Sequence, residues 1–322
     1  MIEGLPIRDP DARYVGSPLA LIAVVAAIFL LLDLIPRTWS AVRRDGVAPL
    51  ASIRNVFRDR WWGRRGLIVV GCLLSFYITY LSYRNLKSYI PFVTDANHDL
   101  GLLDFERGLF FGHDPAAFLH DILGTGIAAH VLSFAYLAFL TFVPISLAAA
   151  LIWSRRLLPG LWYVTTLSLA WLLGALSYYL IPALGPIFAR PALFAELPET
   201  GVFRLQEKLV EHRAEVLADP AATNAVQSIA AFASLHTAVV FSAALIAQLT
   251  GAPRPIRIGL WVFLGLTELA TVYFGWHYVV DDLGGLAIGA FAVWAGARLT
   301  GIELRPLARL RRVPQTRAME TQ

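Results

Sequence analysis

His277 and Asp281 stand four residues apart in the string Trp276-His277-Tyr278-Val279-Val280-Asp281-Asp282. On a helix that spacing puts both on one face, a turn from each other. A carboxylate so placed can orient an imidazole, whereas Asp282 is rotated to a different face. Upstream, Phe232-Ala233-Ser234-Leu235-His236-Thr237 places Ser234 where a helix would begin, with His236 close by. The free backbone N–H groups of a helix N-terminus are a ready site for phosphate. Two imidazoles and a carboxylate suit covalent phosphoryl transfer, in which a neutral histidine attacks phosphorus and a second, protonated histidine gives its proton to the leaving oxygen. This chemistry demands no metal and no organic cofactor. It does need donors and cations around the phosphoryl oxygens, where charge spreads in the transition state. Arg84, Lys87 and Arg190 are the candidates for that role.

The elements that must position these groups are membrane helices. The chain is 57% hydrophobic and 16% charged, with mean hydropathy +0.61; ordinary soluble domains carry about 25% charged residues. A span needs roughly 20 apolar residues. Seven segments qualify: Ser17 to Ile35, Gly66 to Tyr83, Ile127 to Trp153, Gly160 to Ile181, Ala230 to Leu249, Ile256 to Phe274 and Tyr278 to Leu299. The expected fold is an all-α polytopic bundle. The first segment is read as a permanent span because Glu3, Asp9 and Asp11 accompany Arg8 and Arg13 in its flank and no small-residue cleavage site follows. Most of the 27 Lys and Arg residues fall on one side, in the groups around Arg37 to Arg65, Arg155 and Arg156, Arg254 and Arg257, and from Arg298 onward. By the positive-inside rule that side is cytoplasmic, so the N-terminus and all the chemistry-bearing strings lie outside. Two outer segments, Arg84 to Gly126 and Ala183 to Ile229, are long enough to be lids or binding loops, with amphipathic stretches along the membrane surface and a helix over Val202 to Leu217.

Ser234-Leu235-His236 and His277-x-x-x-Asp281 resemble the second and third motifs of the type 2 phosphatidic acid phosphatase superfamily. Their Ser-Leu-His and His-Tyr-x-x-Asp forms are closer to its inositol phosphorylceramide synthase-like branch. The resemblance extends to Pro182 to Pro186 and more loosely to Asp99 to Pro115. It implies a six-helix core with one extra N-terminal transmembrane helix, arranged as 1–65 (first helix and basic loop), 66–300 (catalytic membrane domain) and 301–322 (basic tail). It further implies His277 as nucleophile, Asp281 as its activating carboxylate, His236 as general acid and Ser234 as a phosphate-binding hydroxyl. The family's first motif is matched only at Arg190-Pro191, with Ala183 where a lysine would stand, and Thr271 occupies the place of an arginine before the third-motif histidine. Two phosphate-binding cations are thus replaced, which favours the divergent branch; Arg84 and Lys87 are the compensating candidates. The implied substrate is a phospholipid or polyprenyl phosphate, with water or an alcohol such as inositol as acceptor.

Other classes compete. His130, His236 and His277 all lie on or near spans, so two could be axial ligands of a haem in a membrane electron carrier. Glu268 and Asp281 could be proton sites of a transporter, although no inverted halves are visible. The single cysteine, Cys72, supports neither a disulfide framework nor a thiolate metal site. His98, His113, His120 and His130 do not form a metal-ligand spacing. Arginines clustered between apolar runs point to membrane topology, not to a nucleic-acid partner.

Overall fold

The computed structural model describes residues 5–8, 18–46, 48–153 and 156–304. Glu3, Asp9, Asp11, Arg13, Ser17, Arg155 and the basic residues from Arg305 onward lie outside the described residues. Those described form an all-helical bundle without strands: α1 (Pro18–Asp45), α2 (Pro49–Arg60), α3 (Arg64–Val93), α4 (Asp99–Leu109), α5 (Pro115–Leu123), α6 (Ile127–Ala148), α7 (Leu157–Leu180), α8 (Pro186–Ala189), α9 (Gly201–Ala218), α10 (Leu235–Leu249), α11 (Arg254–Tyr273) and α12 (Val279–Leu299). A wider π-helical turn, Ala149–Trp153, extends α6.

Six of these helices, α1, α3, α6, α7, α11 and α12, are long and apolar enough to cross a bilayer. The seventh expected span, Ala230 to Leu249, is shorter than its hydropathy suggests. Its helix α10 begins only at Leu235 and has 15 residues, about 22 Å at 1.5 Å per residue, short of a hydrocarbon core of about 30 Å. α10 packs among α7, α11 and α12, so protein covers it in place of lipid, and irregular backbone is tolerated in that setting. The approach segment is held by neighbours: Ser88 Oγ accepts from Gln227 N (3.1 Å), Gln227 Nε2 donates to the Lys87 carbonyl (3.1 Å), and Ser177 Oγ accepts from Ala233 N (2.9 Å).

α3 departs from expectation in the other direction. It does not give way to a loop at Arg84 but runs 30 residues to Val93, about 45 Å. Its polar last third is tied by tertiary bonds: Asn85 Nδ2 donates to the Arg8 carbonyl (2.7 Å) and Tyr89 Oη to the Pro6 carbonyl (3.0 Å). Arg84 and Lys87 therefore sit on a rigid helix.

α10 and α12 meet closely because α12 carries Gly285 and Gly289. A Cβ at Gly285 would lie 2.3 Å from the Ser234 carbonyl oxygen, and one at Gly289 would lie 2.9 Å from that of Ala238. Small residues four apart let membrane helices approach at the backbone. Here the approach sets the first turn of α10 beside the first turn of α12. α4, α5 and α9, the amphipathic segments anticipated from sequence, gather at that same end.

Candidate active site

His277 lies in the short turn between α11 and α12, where both Trp276 N and His277 N donate to the Thr271 carbonyl (2.9 and 3.3 Å). Asp281 has two tasks on one oxygen. Its Oδ2 accepts from Tyr278 N (2.9 Å), capping α12, and pairs with His277 Nδ1 (3.3 Å). The other oxygen, Oδ1, is buried with no hydrogen-bond partner among the described residues. The Asp281 carbonyl accepts from Ser234 N (2.9 Å), pinning the start of α10 to α12. His236, the second residue of α10, brings its Nδ1 to 3.2 Å from His277 Nε2. Its ring is flanked by Tyr136 and Phe139 of α6, with centroids 4.9 and 4.5 Å away. Nδ1 of His277 faces a carboxylate, so the natural tautomer leaves Nε2 as the lone-pair nitrogen. Burial, with the Lys87 charge adding to it, holds the His277 imidazole down to about 3, so the ring is neutral at ordinary pH.

The paired rings open onto a cavity of about 650 Å³. Arg84 and Lys87 enter it from α3, Lys208 and His212 from α9, and Tyr178 from α7. Lys87 is buried, its Nζ 4.6 Å from the Tyr178 ring centroid, and Arg84 Nη1 donates to Tyr80 Oη (3.0 Å). Burial lowers the His212 imidazole, reinforced by the neighbouring Lys208 charge. Lys208 and His212 escaped the sequence reading, although their i,i+4 spacing on an amphipathic helix was a usable signal.

Two expected phosphate ligands lie elsewhere. Arg190, in the turn after α8, pairs with Asp114 Oδ2 at 2.6 Å on the surface and does not line the cavity. The Ser234 hydroxyl is fully buried and turned inward: it caps α10 by accepting from Thr237 N (3.4 Å) and donates to Thr237 Oγ1 (3.3 Å). Thr237 Oγ1 in turn donates to Asp282 Oδ1 (2.6 Å), and Thr271 Oγ1 to Asp282 Oδ2 (3.3 Å). Asp282 is thus the hub of a buried hydroxyl cluster behind the histidines, and Thr271, at the position of the absent arginine, belongs to that cluster.

α4 braces the assembly from outside. The Asp99 carboxylate accepts from Leu184 N (2.9 Å), Gly185 N (2.8 Å) and Tyr278 Oη (3.2 Å), and the buried Glu106 accepts from Val279 N at the start of α12. These acids are seven residues apart on one helix face. Burial lifts the Glu106 carboxyl to about 7.

No curated protein and no solved structure gave a match to the chain. Residues 100–295 match the family model described as PAP2 superfamily. That stretch is more than half of the chain and contains His236, His277 and Asp281. With its membrane helices it supports a function of the lipid phosphatase type, and the chain belongs to the PAP2 superfamily.

Proposed function

We propose that the protein is a membrane lipid phosphotransferase of the inositolphosphotransferase-like kind, working through a phosphohistidine at His277. The row of His236 Nδ1, His277 Nε2 and Nδ1, and Asp281 Oδ2, set at the edge of a cationic cavity, carries this reading. The lipid phosphate enters between the rings, which must part from their 3.2 Å contact. His277 Nε2 then forms a bond to phosphorus as the bond from phosphorus to the lipid oxygen breaks. His236, protonated as the anion arrives, gives its Nδ1 proton to that oxygen, and the lipid alcohol leaves. The Asp281 charge stabilises the positive ring of the intermediate through Nδ1–H. In the second half, neutral His236 takes the proton of an acceptor hydroxyl, whose oxygen attacks phosphorus and releases His277. Lys87 and Arg84 supply the charge that balances the phosphoryl oxygens. The site faces the extracytoplasmic side, in keeping with the arginine distribution.

The Ser-Leu-His and His-Tyr strings favour an alcohol acceptor such as inositol; a water acceptor would make the same site a lipid or polyprenyl-phosphate phosphatase. Incubating the purified protein with lipid phosphates and phosphoinositol lipids, with and without added ceramide or inositol, and measuring both free phosphate and new phosphodiester separates the two. Product that depends on the added alcohol supports the transferase, and phosphate release alone assigns the phosphatase. Turnover unchanged in His277→Ala refutes both.

A further inference from the structure

At the end of the bundle opposite the histidines, α1, α2 and the first turn of α3 surround a second cavity, of about 870 Å³. Arg65 lines this cavity and Lys87 the other, both on α3, so the two are separated by about 33 Å along the helix at 1.5 Å per residue, or one hydrocarbon thickness.

Four guanidinium groups, of Arg37, Arg44, Arg60 and Arg65, line the cavity against the carboxylates of Asp33 and Asp59. Asp33 is already engaged. Its side chain is 1% exposed and accepts from Arg60 Nε (2.6 Å), Arg37 Nε (3.0 Å) and Trp61 Nε1 (3.2 Å). Arg65 is anchored on the Leu151 and Ile152 carbonyls (3.4 Å each). The result is a preorganised concave wall with excess positive charge, its geometry fixed by a buried carboxylate. Arginines that served topology alone would have no reason to converge on one hollow. The same hollow is bordered by Leu32 and Trp153, both exposed on the apolar flank of the bundle. An occupant should therefore be anionic at one end and apolar at the other.

We propose that this cavity binds the phosphate headgroup of an anionic phospholipid from the leaflet opposite the histidine site. The phosphate oxygens lie among Arg37, Arg44 and Arg60, and the glycerol and first methylenes against Leu32 and Trp153. Basic pockets between membrane helices are suited to such headgroups. Inorganic phosphate shares the headgroup's charge but makes no use of the apolar border.

The test is native mass spectrometry of the full-length protein in neutral detergent, titrated with phosphatidylglycerol, with phosphatidylcholine of the same chain length, and with inorganic phosphate. Phosphatidylglycerol should be retained preferentially. The preference should fall roughly 25-fold in Arg44→Glu, a two-unit charge change at roughly fivefold per charge. It should also fall in Ser40→Trp, which fills the cavity without altering charge. Both residues are remote from the histidines, so melting temperature and lipid phosphate turnover should match the parent. A lipid held at the histidine cavity persists in both variants, which keeps failure of the proposed activity distinct from failure of this site. Equal retention of the two lipids, phosphatidylglycerol retention unchanged in both variants, or displacement by millimolar inorganic phosphate each overturns the proposal.

Discussion

Replacing Asp281 with asparagine isolates one contribution to catalysis, because both hydrogen bonds of the carboxylate fall on a single oxygen. Oδ2 serves Tyr278 N at 2.9 Å and His277 Nδ1 at 3.3 Å, while Oδ1 has no partner among the described residues. An asparagine that sets its carbonyl oxygen at the Oδ2 position keeps the helix cap, the ring orientation and the Nδ1–H tautomer. Only the negative charge goes. At 3.3 Å and an effective dielectric constant of about 20, a unit charge facing the positive ring of the intermediate contributes about 5 kcal/mol. The neutral hydrogen bond that remains returns about 1 kcal/mol. The net loss of about 4 kcal/mol corresponds to a roughly thousandfold lower kcat. Alanine at 281 removes cap, tautomer and charge together and should fall to the level of His277→Ala. The assay is release of the lipid alcohol in mixed micelles under saturating substrate, with melting temperature as the control for folding. Asp281→Asn within tenfold of the parent would refute the role given to the charge. Asp281→Asn as inactive as His277→Ala would refute the claim that one shared oxygen preserves the ring.

His236→Gln should lower kcat by about 10² to 10⁴ with an alkyl phosphate but far less with p-nitrophenyl phosphate, whose leaving group needs no proton; equal losses on both substrates would remove His236 from the acid's role. Burial lifts Glu106 from 4.5 to about 7, so between these pH values the folded state keeps a proton that the unfolded state has lost. Its contribution to stability is therefore present below pH 4.5 and lost as pH rises through 7, about 3 kcal/mol in all. The melting temperature should fall over that window and the slope should flatten in Glu106→Gln; a parallel slope in the variant counts against Glu106 as its source. Gly285→Ala should cost about 1–3 kcal/mol by overpacking and reduce activity about a hundredfold by displacing His236 from His277. Gly265→Ala, where a Cβ meets nothing within 4 Å, should leave both unchanged.

Hydropathy and spacing were enough to read the helical membrane fold, although six and not seven of the expected spans are long enough to cross a bilayer, and they put His236, His277 and Asp281 forward as one group. These features are local or set by solvent. An apolar run must cross the bilayer wherever it occurs, the i,i+4 relation of His277 and Asp281 is a property of one helix, and strings at corresponding helix ends share a face once the spans are counted.

Tertiary packing decided the rest. Whether a cation reaches the phosphate depends on the direction of its side chain and on nearby carboxylates. Arg190 meets Asp114 on the surface, whereas Lys87 is carried inward by an α3 that outlasts its hydropathy because Asn85 and Tyr89 are bonded to residues near the N-terminus. Ser234 looked like a phosphate ligand at a helix start, but its hydroxyl turns to Thr237 and the Asp282 cluster. Lys208 and His212 join the site only because α9 folds across its mouth. Composition and periodicity fix which residues are near a membrane face; the close approach of α10 to α12 at Gly285 and Gly289, a contact between segments distant in sequence, fixes which of them meet.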